Sequence, residues 1–411
     1  MRLVIDCFKL VKGKGKSLGI YNLTKSLIAN LAAQNLALAG ARADTAGAAG
    51  AAGVRQTGAG STAENTGAGT PPHEIIVLGN EYNEKDFAAE GVTFRRMGGN
   101  PLSKVYDVLW ELFLVKKWLK EEKADRVLFP RGYRPLWYQG KDTVIIHDLI
   151  PFYYDRHYHG VLNPVENAYI MARLKASMKH ADRIITISEF SRREIDAMCP
   201  GSGDRVRVIY NGVTPVASTG AECPFRPEGP YLYAVASGLP HKNAAGVLRT
   251  YEAYCRRCAE RGEEPVQLVL TGVPGPEAVT GNEDGQLLSP EAAARVTCYK
   301  YIERAEDMYN LFAGAEAFLF LSLIEGFGFP PLEAMQVGVP VICSDRTALP
   351  EVVGDAALLT DPEDIGHTVD CIDRILTDGA LREELIRKGY ENAKRFDWES
   401  RTDQYWEELL G

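Results

Sequence analysis

Residues 321–345 read LSLIEGFGFPPLEAMQVGVPVICSD, and this stretch predicts a strand, a glycine-containing loop, a helix and a second strand. The first strand ends near Ser322. Pro330 and Pro331 indicate the start of the helix. Backbone N–H groups in a first helical turn have no partner within the helix, so proline, which lacks this group, loses no hydrogen bond there. At a helix N-terminus, free backbone N–H groups and the positive end of the helix dipole favour a bound phosphate. The stretch therefore predicts an α/β fold with an anion site after a strand.

Two glycines and two carboxylates add further chemistry to this loop. Gly326 and Gly328 let the backbone approach a ligand without interference from a Cβ atom. Glu325 precedes the loop, and Glu333 follows it in the predicted helix. Sugars and riboses present vicinal hydroxyls, from which ionised carboxylates readily accept hydrogen bonds. The loop thus combines groups suited to a phosphate with groups suited to a sugar or a ribose.

Outward from this stretch, short apolar runs alternate with longer amphipathic segments in two series. The first series is RLVIDCF, EIIVLGN, RVLFP, TVIIHDLI, RIITIS and VRVIYN, and the second is YLYAVAS, VQLVLTG, VTCYKYI, AFLFLS, PVICSD and AALLT. Val and Ile dominate these runs, which lack the two-residue alternation of a half-exposed sheet. Such runs are typical of parallel strands that are buried on both faces. Their alternation with helices predicts doubly wound α/β units.

The length of the chain and one Pro/Gly-rich segment predict two domains. A chain of 411 residues is too long for one ordinary hydrophobic core. Residues 213–230 separate the two series and have the composition of a linker. We therefore expect two Rossmann-like domains, residues 1–214 and 215–395, with doubly wound parallel sheets that face a cleft. Residues 396–411 are expected to form a helix that packs back toward the N-terminal domain.

Residues 37–72 depart from this pattern. They are rich in Ala, Gly and Thr and contain no aromatic residue. Such a composition buries too little apolar surface to offset the entropy of ordering the chain. We expect a flexible, low-complexity insertion between the first helix and the second strand.

Charge, hydropathy and cysteine spacing exclude several classes of protein. The net charge of −9 argues against broad binding of nucleic acid, which needs a basic face. No apolar run reaches the roughly 18 residues of a membrane span, and the N-terminus resembles a buried strand more than a signal peptide. Cys255 and Cys258 lack the second ligand pair of a zinc site, so two reduced cysteines are expected. We expect a cytoplasmic location.

Further motifs make a resemblance to a known family clear. The arrangement Glu-x7-Glu around GFGFPPLEAM resembles the retaining glycosyltransferases of the GT-B architecture, in the group of glycogen and sucrose synthases and bacterial mannosyltransferases. Matching motifs stand in family order over most of the chain. They are ISEFSRREI (187–195), VIYNGV (208–213), VASGLPHKN (235–243), ALPEVVGDAALLTDPED (348–364) and RFDWE (395–399).

In the loop at 325–333, the resemblance implies a donor site for a nucleoside diphosphate sugar. It implies that Glu333 holds the ribose hydroxyls and that Glu325 lies beside the transferred sugar. It also implies that the backbone of Gly326, Phe327 and Gly328 contacts the sugar hydroxyls or the diphosphate.

The resemblance extends the site to other loops. It implies that Lys242 binds the diphosphate, where its charge would offset that of the leaving group. Gly238 and His241 belong to the same motif, but the family usually has arginine at the position of His241. Histidine supplies a weaker and pH-dependent charge. His147 follows a strand at the cleft and is implied to lie against the donor sugar; a core histidine is the alternative.

The N-terminal loop contributes one implied residue and a group of lysines. Gly19 matches the family glycine that opens the first helix near the phosphates. The segment GKGKS resembles a P-loop, but Leu10 stands where that motif requires glycine, so a kinase or ATPase is not expected. The lysines nearby would attract a phosphate-bearing acceptor or an anionic membrane, or would be merely solvated. They are Lys9, Lys12, Lys14 and Lys16.

Residues 104–123 predict a single amphipathic helix. Its core stripe is expected to be Val105, Val108, Leu109, Leu112, Val115 and Leu119. Trp110, Phe113, Leu114 and Trp118 then point elsewhere, between lysines. Two interpretations stay open for these rings: contact with a membrane surface or a lipid-linked acceptor, or cover by neighbouring segments.

The resemblance implies a retaining, metal-independent hexosyltransferase. Its co-substrate would be a GDP- or UDP-linked sugar, with no other cofactor, and its acceptor a hydroxyl of a glycan or lipid-linked glycan in polysaccharide synthesis. The chain has no Asp-x-Asp motif, the pair that holds a divalent cation on the donor diphosphate in metal-dependent transferases. The alternatives are a nucleotide-sugar epimerase or phosphorylase of related fold, and a non-catalytic subunit.

Overall fold

The computed structural model of the protein describes residues 1–12, 18–51, 72–216, 223–279 and 287–411, apart from the side chains of residues 42–51. Two sheets organise these residues. The first comprises β1 (Arg2–Asp6), β2 (Glu74–Gly79), β3 (Val92–Arg96), β4 (Arg126–Phe129), β5 (Asp142–Ile146), β6 (Arg183–Thr186) and β7 (Val206–Val208). The second comprises β8 (Tyr231–Val235), β9 (Gln267–Thr271), β10 (Val296–Tyr299), β11 (Ala317–Phe320), β12 (Val341–Ser344) and β13 (Ala357–Thr360).

Helices follow most of these strands. In the N-terminal half they are α1 (Leu18–Ala51), α2 (Glu84–Phe87), α3 (Lys104–Leu109), α4 (Val115–Glu121), α5 (Ile150–His157), α6 (Pro164–His180) and α7 (Glu189–Met198), with a π-helical turn at Trp110–Leu114. In the C-terminal half they are α8 (Ala244–Arg261), α9 (Pro290–Ala293), α10 (Ala305–Ala313), α11 (Phe329–Gln336), α12 (Leu349–Val353), α13 (Ile365–Thr377), α14 (Gly379–Lys394) and α15 (Trp398–Leu410). Among the described residues, no helix is both long and apolar enough to cross a membrane.

The strand order of each sheet places the cleft. The first sheet runs β3-β2-β1-β4-β5-β6-β7 and the second β10-β9-β8-β11-β12-β13. Neighbouring strands in both are parallel. The order reverses beside β1 in the first sheet and beside β8 in the second. Ligands bind doubly wound sheets at the carboxyl ends of strands next to such a reversal. The predicted fold class, two Rossmann-like domains, is confirmed.

The buried strands explain why the sheets form. Leu3, Val4 and Ile5 of β1 and Phe318 and Leu319 of β11 are at most 1% exposed. Strands covered by helices on both faces need apolar residues at successive positions. The unbroken apolar runs of the sequence therefore form the centres of both sheets.

The C-terminal helix contacts the N-terminal half of the chain. Helix α15 lies along α1, and Gln34 of α1 donates a hydrogen bond to Asp403 of α15. Arg183 of β6 forms an ion pair of 3.0 Å with Glu408. These contacts tie the end of the chain to the first sheet.

Helix α1 is longer than the sequence analysis expected. It continues to Ala51, whereas the flexible insertion was expected to begin at residue 37. Alanine has the highest intrinsic helix propensity, and a helix satisfies its backbone groups without burying a side chain. The low apolar content of this stretch therefore did not exclude a helix. Residues 52–71 of the predicted insertion lie outside the described residues.

The predicted core stripe of residues 104–123 is wrong in part. Val115 and Leu119 are buried, but Val105 is 72% and Leu109 is 44% exposed. Trp110, expected to point elsewhere, is fully buried and donates a hydrogen bond from its indole N–H to Asp6 (3.1 Å). A π-helical turn interrupts the helix there, and its i to i+5 hydrogen bonds shift the phase of the side chains. The predicted stripe was based on the assumption that residues 104–123 form one regular α-helix.

Candidate functional site: the cleft between the two sheets

The loop between β11 and α11 has the predicted local structure. Gly328 precedes α11 with a φ of +118°, a conformation that favours glycine, and a proline lies in the first turn of the helix. Phe327 is buried and packs against Phe329 and Phe396. The ring of Phe327 thus anchors the loop, while the N-terminus of α11 follows it.

Glu325 and Lys242 form an ion pair at the centre of the site. The Lys242 Nζ lies 2.7 Å from Oε1 of Glu325. The Lys242 loop follows β8 and the Glu325 loop follows β11, and these two strands are neighbours in the sheet. Both side chains are largely buried, at 28% and 10% exposed. The structure thus brings together a carboxylate and a cation that lie far apart in the sequence.

Thr347 supports this arrangement and was not identified from the sequence. Its Oγ1 accepts a hydrogen bond from the backbone N–H of Glu325 (3.0 Å). Thr347 has a φ of +60°, a left-handed conformation that is uncommon for a residue other than glycine. Such backbone strain concentrates at functional sites. No sequence signal marks a threonine for this conformation.

The first sheet contacts the loop between β11 and α11 through the segment that follows β5. A Cβ atom on Gly326 would lie 2.8 Å from the carbonyl oxygen of His147 and 2.9 Å from Cβ of Asp148. Both distances are too short for a real Cβ contact. Glycine at 326 is therefore required by the close approach of the two domains, in addition to any contact with a ligand.

His147 is held as a neutral ring. Its Nε2 lies 2.8 Å from the carbonyl oxygen of Pro130. Because a carbonyl can only accept, Nε2 carries the proton and Nδ1 is an acceptor. Burial lowers the pKa of His147 to about 4. His147 can therefore accept a hydrogen bond through Nδ1 but carries no charge near neutral pH.

Asp148, beside His147 at the end of β5, adds a carboxylate to which the sequence analysis gave no role. Burial raises its pKa, and the negative charge of Glu325 acts in the same direction. Glu194 of α7 has a pKa of about 6, raised by burial and then by the charge of Asp148. Three carboxyl groups from both domains thus influence one another at the cleft. The position of Asp148 at the end of a strand was the only sequence signal for it.

His241 does not supply the second positive charge. It is 5% exposed, and its Nδ1 lies 2.6 Å from the hydroxyl of Tyr154 in α5. Burial, and then the positive charge of Lys242, lower the pKa of His241 to about 4. The ring is therefore neutral near pH 7 and connects the Lys242 loop to the N-terminal domain. Tyr154 was missed because its partner lies 87 positions away in the sequence.

Glu333 lies in α11 and has an unusual environment. Burial raises the pKa of Glu333 to about 7. Within the described part of the chain, it makes no ion pair that would favour the charged form. A buried carboxyl group whose pKa is raised this far is a candidate functional group.

Gly19 and Gly238 lie at exposed positions. A Cβ atom on either would meet no described atom within 4 Å. Packing in the described protein does not require glycine at these two positions. Gly19 lies in the first turn of α1, and Gly238 precedes the Lys242 loop.

The lysines of the N-terminal loop have different surroundings. Lys9 forms ion pairs with Glu111 (3.0 Å) and Asp107 (3.4 Å) and is 13% exposed. It is therefore not a freely solvated charge. Lys14 and Lys16 lie outside the described residues.

A carboxylate of the C-terminal domain binds the N-terminus of α7. Glu351 of α12 accepts hydrogen bonds from the backbone N–H groups of Glu189 (3.1 Å) and Phe190 (3.0 Å). Ser188 also caps this helix by accepting from the N–H of Ser191. The motifs 187–195 and 348–364 therefore meet across the cleft. Sequence reasoning found both motifs but not their contact.

Two family models match most of the chain. The model described as Glycosyltransferase Family 4 matches residues 69–216, and the model described as Glycosyl transferases group 1 matches residues 221–392. The first match covers β2 to β7 of the first sheet, and the second covers all six strands of the second sheet.

Known proteins and a solved structure are similar to the chain. The O-antigen chain mannosyltransferase B of Escherichia coli is 34% identical over 57% of this chain and 62% of its own length. The O-antigen chain mannosyltransferase RfbU of Salmonella typhimurium is 26% identical over 54% and 57%. The chain thus spans about three fifths of these relatives. Sucrose-phosphate synthase from Thermosynechococcus elongatus has the same fold, with a TM-score of 0.65 at 18% identity, covering 99% and 98% of the two chains.

The fold, the two family models and the relatives agree. Strand order and family matches divide the chain in the same way, and the ion pair between Lys242 and Glu325 lies where the two halves face each other. The protein belongs to the GT-B glycosyltransferases, in the group that contains the bacterial mannosyltransferases and glucosyltransferases.

Proposed function

We propose that the protein transfers a hexose, with retention of configuration, from a nucleoside diphosphate sugar to a hydroxyl of a glycan in cell-surface polysaccharide synthesis. The observation that carries this proposal is the Lys242–Glu325 ion pair beside the N-terminus of α11. It combines a cation and backbone N–H groups for a diphosphate with a carboxylate for a sugar. Mannose is the proposed hexose, because both curated relatives above are named as mannosyltransferases.

Each group at the cleft has a proposed role. Lys242 and the N-terminus of α11 bind the diphosphate, and Glu333 accepts hydrogen bonds from the ribose. The backbone from Gly326 to Gly328 contacts the sugar or the diphosphate, and the loop that contains Gly238 and His241 borders the donor. Gly19 of α1 faces the phosphates from the other domain. Glu325 and the neutral His147 orient the hexose.

The proposed reaction needs no covalent bond to the protein. The acceptor oxygen bonds to the anomeric carbon on the face from which the diphosphate leaves. The bond between that carbon and the diphosphate oxygen breaks, and the acceptor proton moves to a diphosphate oxygen. Lys242 stabilises the negative charge of the leaving group, and Glu325 stabilises positive charge on the sugar. Neither a metal ion nor a cofactor takes part in this proposal.

A panel of nucleotide sugars tests the proposal. GDP-mannose or a UDP-hexose should raise the melting temperature, because a ligand that binds only the folded state stabilises it. Release of the nucleoside diphosphate should require an added glycan acceptor. Turnover of the donor without an acceptor, to an isomeric nucleotide sugar, would instead indicate an epimerase. Absence of binding by every donor in calorimetry would indicate a non-catalytic subunit.

Donor binding is expected to strengthen with pH because of Glu333. With a pKa of about 7, the Glu333 carboxyl is largely protonated at pH 6 and largely ionised at pH 8. The ionised carboxylate is the better acceptor for hydrogen bonds from the ribose hydroxyls. The donor Kd should therefore fall by about tenfold between pH 6 and pH 8. The histidines His147 and His241, with pKa values of about 4, do not titrate in this range. Isothermal calorimetry at several pH values measures the effect.

The variant Glu333→Gln is the control for this pH dependence. It should bind the donor with a Kd that is nearly constant from pH 6 to pH 8. An unchanged slope in the variant would contradict the assignment. The free energy of unfolding of the wild type should decrease over the same range, because the unfolded carboxyl loses its proton at lower pH than the folded one.

We also propose that the N-terminal domain contacts an anionic membrane. The proposed contact is a basic apolar face formed by Val105, Leu109, Phe113, Leu114, Lys116, Lys117, Lys120 and Trp137. Trp137 is 74% and Phe113 is 43% exposed, and the Lys116 Nζ lies 5.8 Å from the centre of each ring. Exposed apolar rings beside lysines suit the interface of an anionic bilayer.

Sedimentation with vesicles tests this contact. Wild-type protein should bind phosphatidylglycerol vesicles more tightly than phosphatidylcholine vesicles, and salt should weaken the binding. Trp137→Ser should reduce binding several-fold, whereas Leu410→Ser, at an exposed position in α15, should leave it unchanged. Equal binding by the wild type and Trp137→Ser would contradict the proposal.

A further inference from the structure

Two residues beside the Lys242–Glu325 ion pair have an uncommon backbone conformation. Asn243, which follows Lys242, has a φ of +52° and a ψ of +41°. Thr347, which accepts a hydrogen bond from the backbone of Glu325, has a φ of +60°. Only four non-glycine residues in the described part of the chain have a positive φ. Such conformations persist where the surrounding structure requires them, and they are frequent at functional sites.

The side chain of Asn243 connects three loops at the carboxyl edge of the second sheet. Its Nδ2 donates to the carbonyl oxygens of Leu321 (2.9 Å) and Pro362 (3.3 Å), and its Oδ1 accepts from the backbone N–H of Gly246 (3.1 Å). Asn243, Leu321 and Pro362 lie after β8, β11 and β13, respectively. Because carbonyl oxygens can only accept, these partners fix the orientation of the amide. One amide group thus sets the distances between the loops.

Gly246 leaves the space that this amide occupies. A Cβ atom at position 246 would lie 2.4 Å from both Nδ2 and Oδ1 of Asn243. Glycine is a weak helix former, yet position 246 lies in the first turn of α8. The glycine therefore lowers helix propensity and in return allows the Asn243 amide to reach the neighbouring loops.

Thr347 holds the Glu325 loop from the opposite side. It lies after β12, and the strand order β8-β11-β12-β13 places the Glu325 loop between the loops of Lys242 and Thr347. On the first side, the carbonyl oxygen of His241 accepts from the N–H of Leu323 (2.7 Å). On the second side, the Thr347 hydroxyl accepts from the N–H of Glu325 (3.0 Å). The backbone that carries Glu325 is thus bonded to both neighbouring loops.

We propose that Asn243 and Thr347 are positioning residues, which hold the ammonium of Lys242 and the carboxylate of Glu325 at the separation that hexose transfer needs. This inference rests on the proposed function. Asn243 acts on Lys242 through its left-handed backbone and through its bonds to the other loops, and Thr347 acts on Glu325 through the backbone N–H. Neither residue contacts the donor in this proposal. A misplacement of about 1 Å lowers an enzymatic rate by about a hundredfold.

Steady-state kinetics of transfer tests the role of Asn243. Asn243→Gly keeps the left-handed conformation but removes the amide, and should lower kcat by about tenfold to a hundredfold with a smaller rise of the donor KM. Asn243→Asp should also lower kcat, although aspartate caps a helix as well as asparagine does, because a carboxylate cannot donate to the carbonyls of Leu321 and Pro362. Gly246→Ala leaves Asn243 unchanged but displaces its amide, so kcat should fall in this variant too.

A helix cap elsewhere in the domain provides the control. Asp378 caps α14 by accepting from the N–H of Leu381 (3.0 Å), and Asp378→Ala should lower the melting temperature but leave kcat per folded molecule unchanged. If Asn243 were only a helix cap, Asn243→Asp would have the kcat of the wild type. Wild-type kcat in Asn243→Gly or in Gly246→Ala would overturn the proposal even if Asn243→Asp were inactive, because the loss would then come from the added charge.

A pair of variants tests the hydroxyl of Thr347. Thr347→Val keeps the shape of the side chain but leaves the Glu325 N–H without its partner, and should lower kcat by about tenfold. Thr347→Ser retains the hydroxyl and should keep most of the activity. Equal kcat values for the two variants would exclude Thr347 as a positioning residue.

A measurement without substrate separates a failure of this inference from a failure of the proposed function. Lys242→Met, Glu325→Gln and the double variant give the coupling free energy of the ion pair from urea unfolding. In an Asn243→Gly background this coupling should fall by about half or more. An unchanged coupling would overturn the proposal. A wild type that transfers no hexose would refute the proposed function, while the coupling still decides whether Asn243 positions the ion pair.

Discussion

Replacing Glu325 by alanine is expected to lower sugar transfer by at least about a hundredfold while leaving the protein folded. The Glu325 side chain is 10% exposed and its carboxylate lies 2.7 Å from the Lys242 ammonium, so its loss removes a negative charge from the place proposed for the hexose. Without it, positive charge on the sugar loses the carboxylate that is proposed to stabilise it in the transition state. The loss should appear in kcat rather than in the donor KM, and a coupled assay of nucleoside diphosphate release measures both.

Two further variants test whether the loss of activity is specific to the Glu325 carboxylate. Glu325→Gln keeps the size of the side chain and should be nearly as inactive as the alanine variant, because the charge is what matters. Glu384→Ala, at an exposed ion pair in α14 far along the chain, should retain full activity. Full activity of Glu325→Ala, with a circular dichroism spectrum like that of the wild type, would exclude Glu325 from the site.

Replacing Lys242 by methionine should reduce transfer by about a hundredfold to a thousandfold, the range seen when one donor to a developing anion is removed. We expect this large effect because the neighbouring His241 is neutral. His241 has a pKa of about 4 and its Nδ1 faces Tyr154, so it supplies no second positive charge. The leaving diphosphate therefore depends on Lys242 and on the N-terminus of α11 more than it would in a site with two cations.

The matched comparison is Lys242→Arg, which keeps the charge and should retain much more activity than Lys242→Met. Because Lys242 and Glu325 form one ion pair, the two single variants and the double variant should be far from additive. A double variant whose loss equals the sum of the single losses would contradict the coupling. Donor titration by calorimetry should show weaker binding in Lys242→Met, since the cation also binds the ground-state diphosphate.

The backbone structure of the loop at 325–328 could be predicted from the sequence. The backbone of a strand, a glycine-containing loop and a helix that starts with proline follows from the conformational preferences of these residues, and each preference acts over a few residues. Gly328 has the positive φ that only glycine adopts readily, and Ser188 caps α7 as its type and position predict. The unbroken apolar runs likewise predicted two parallel sheets.

Contacts between segments that are distant in the sequence could not be predicted from local sequence patterns. Asp148, Thr347 and Tyr154 reach the site through the meeting of loops that are 20 or more positions from their partners along the chain. The direction of His241 is another example. The resemblance indicated a histidine where the family usually has arginine, but not that its ring lies against the N-terminal domain.

The sequence by itself determined the parallel sheets and the strand–loop–helix at 321–345, because hydrophobic runs, glycine freedom and helix-start preferences are local properties of the chain. The tertiary structure decided which charges meet and which groups stay neutral. The neutral His241 and the Glu333 pKa of about 7 result from burial by segments remote in sequence. The π-helical turn that buries Trp110 beside Asp6 was likewise not predicted from the sequence. Desolvation and charge pairing depend on distances in space, which no spacing in the sequence specifies.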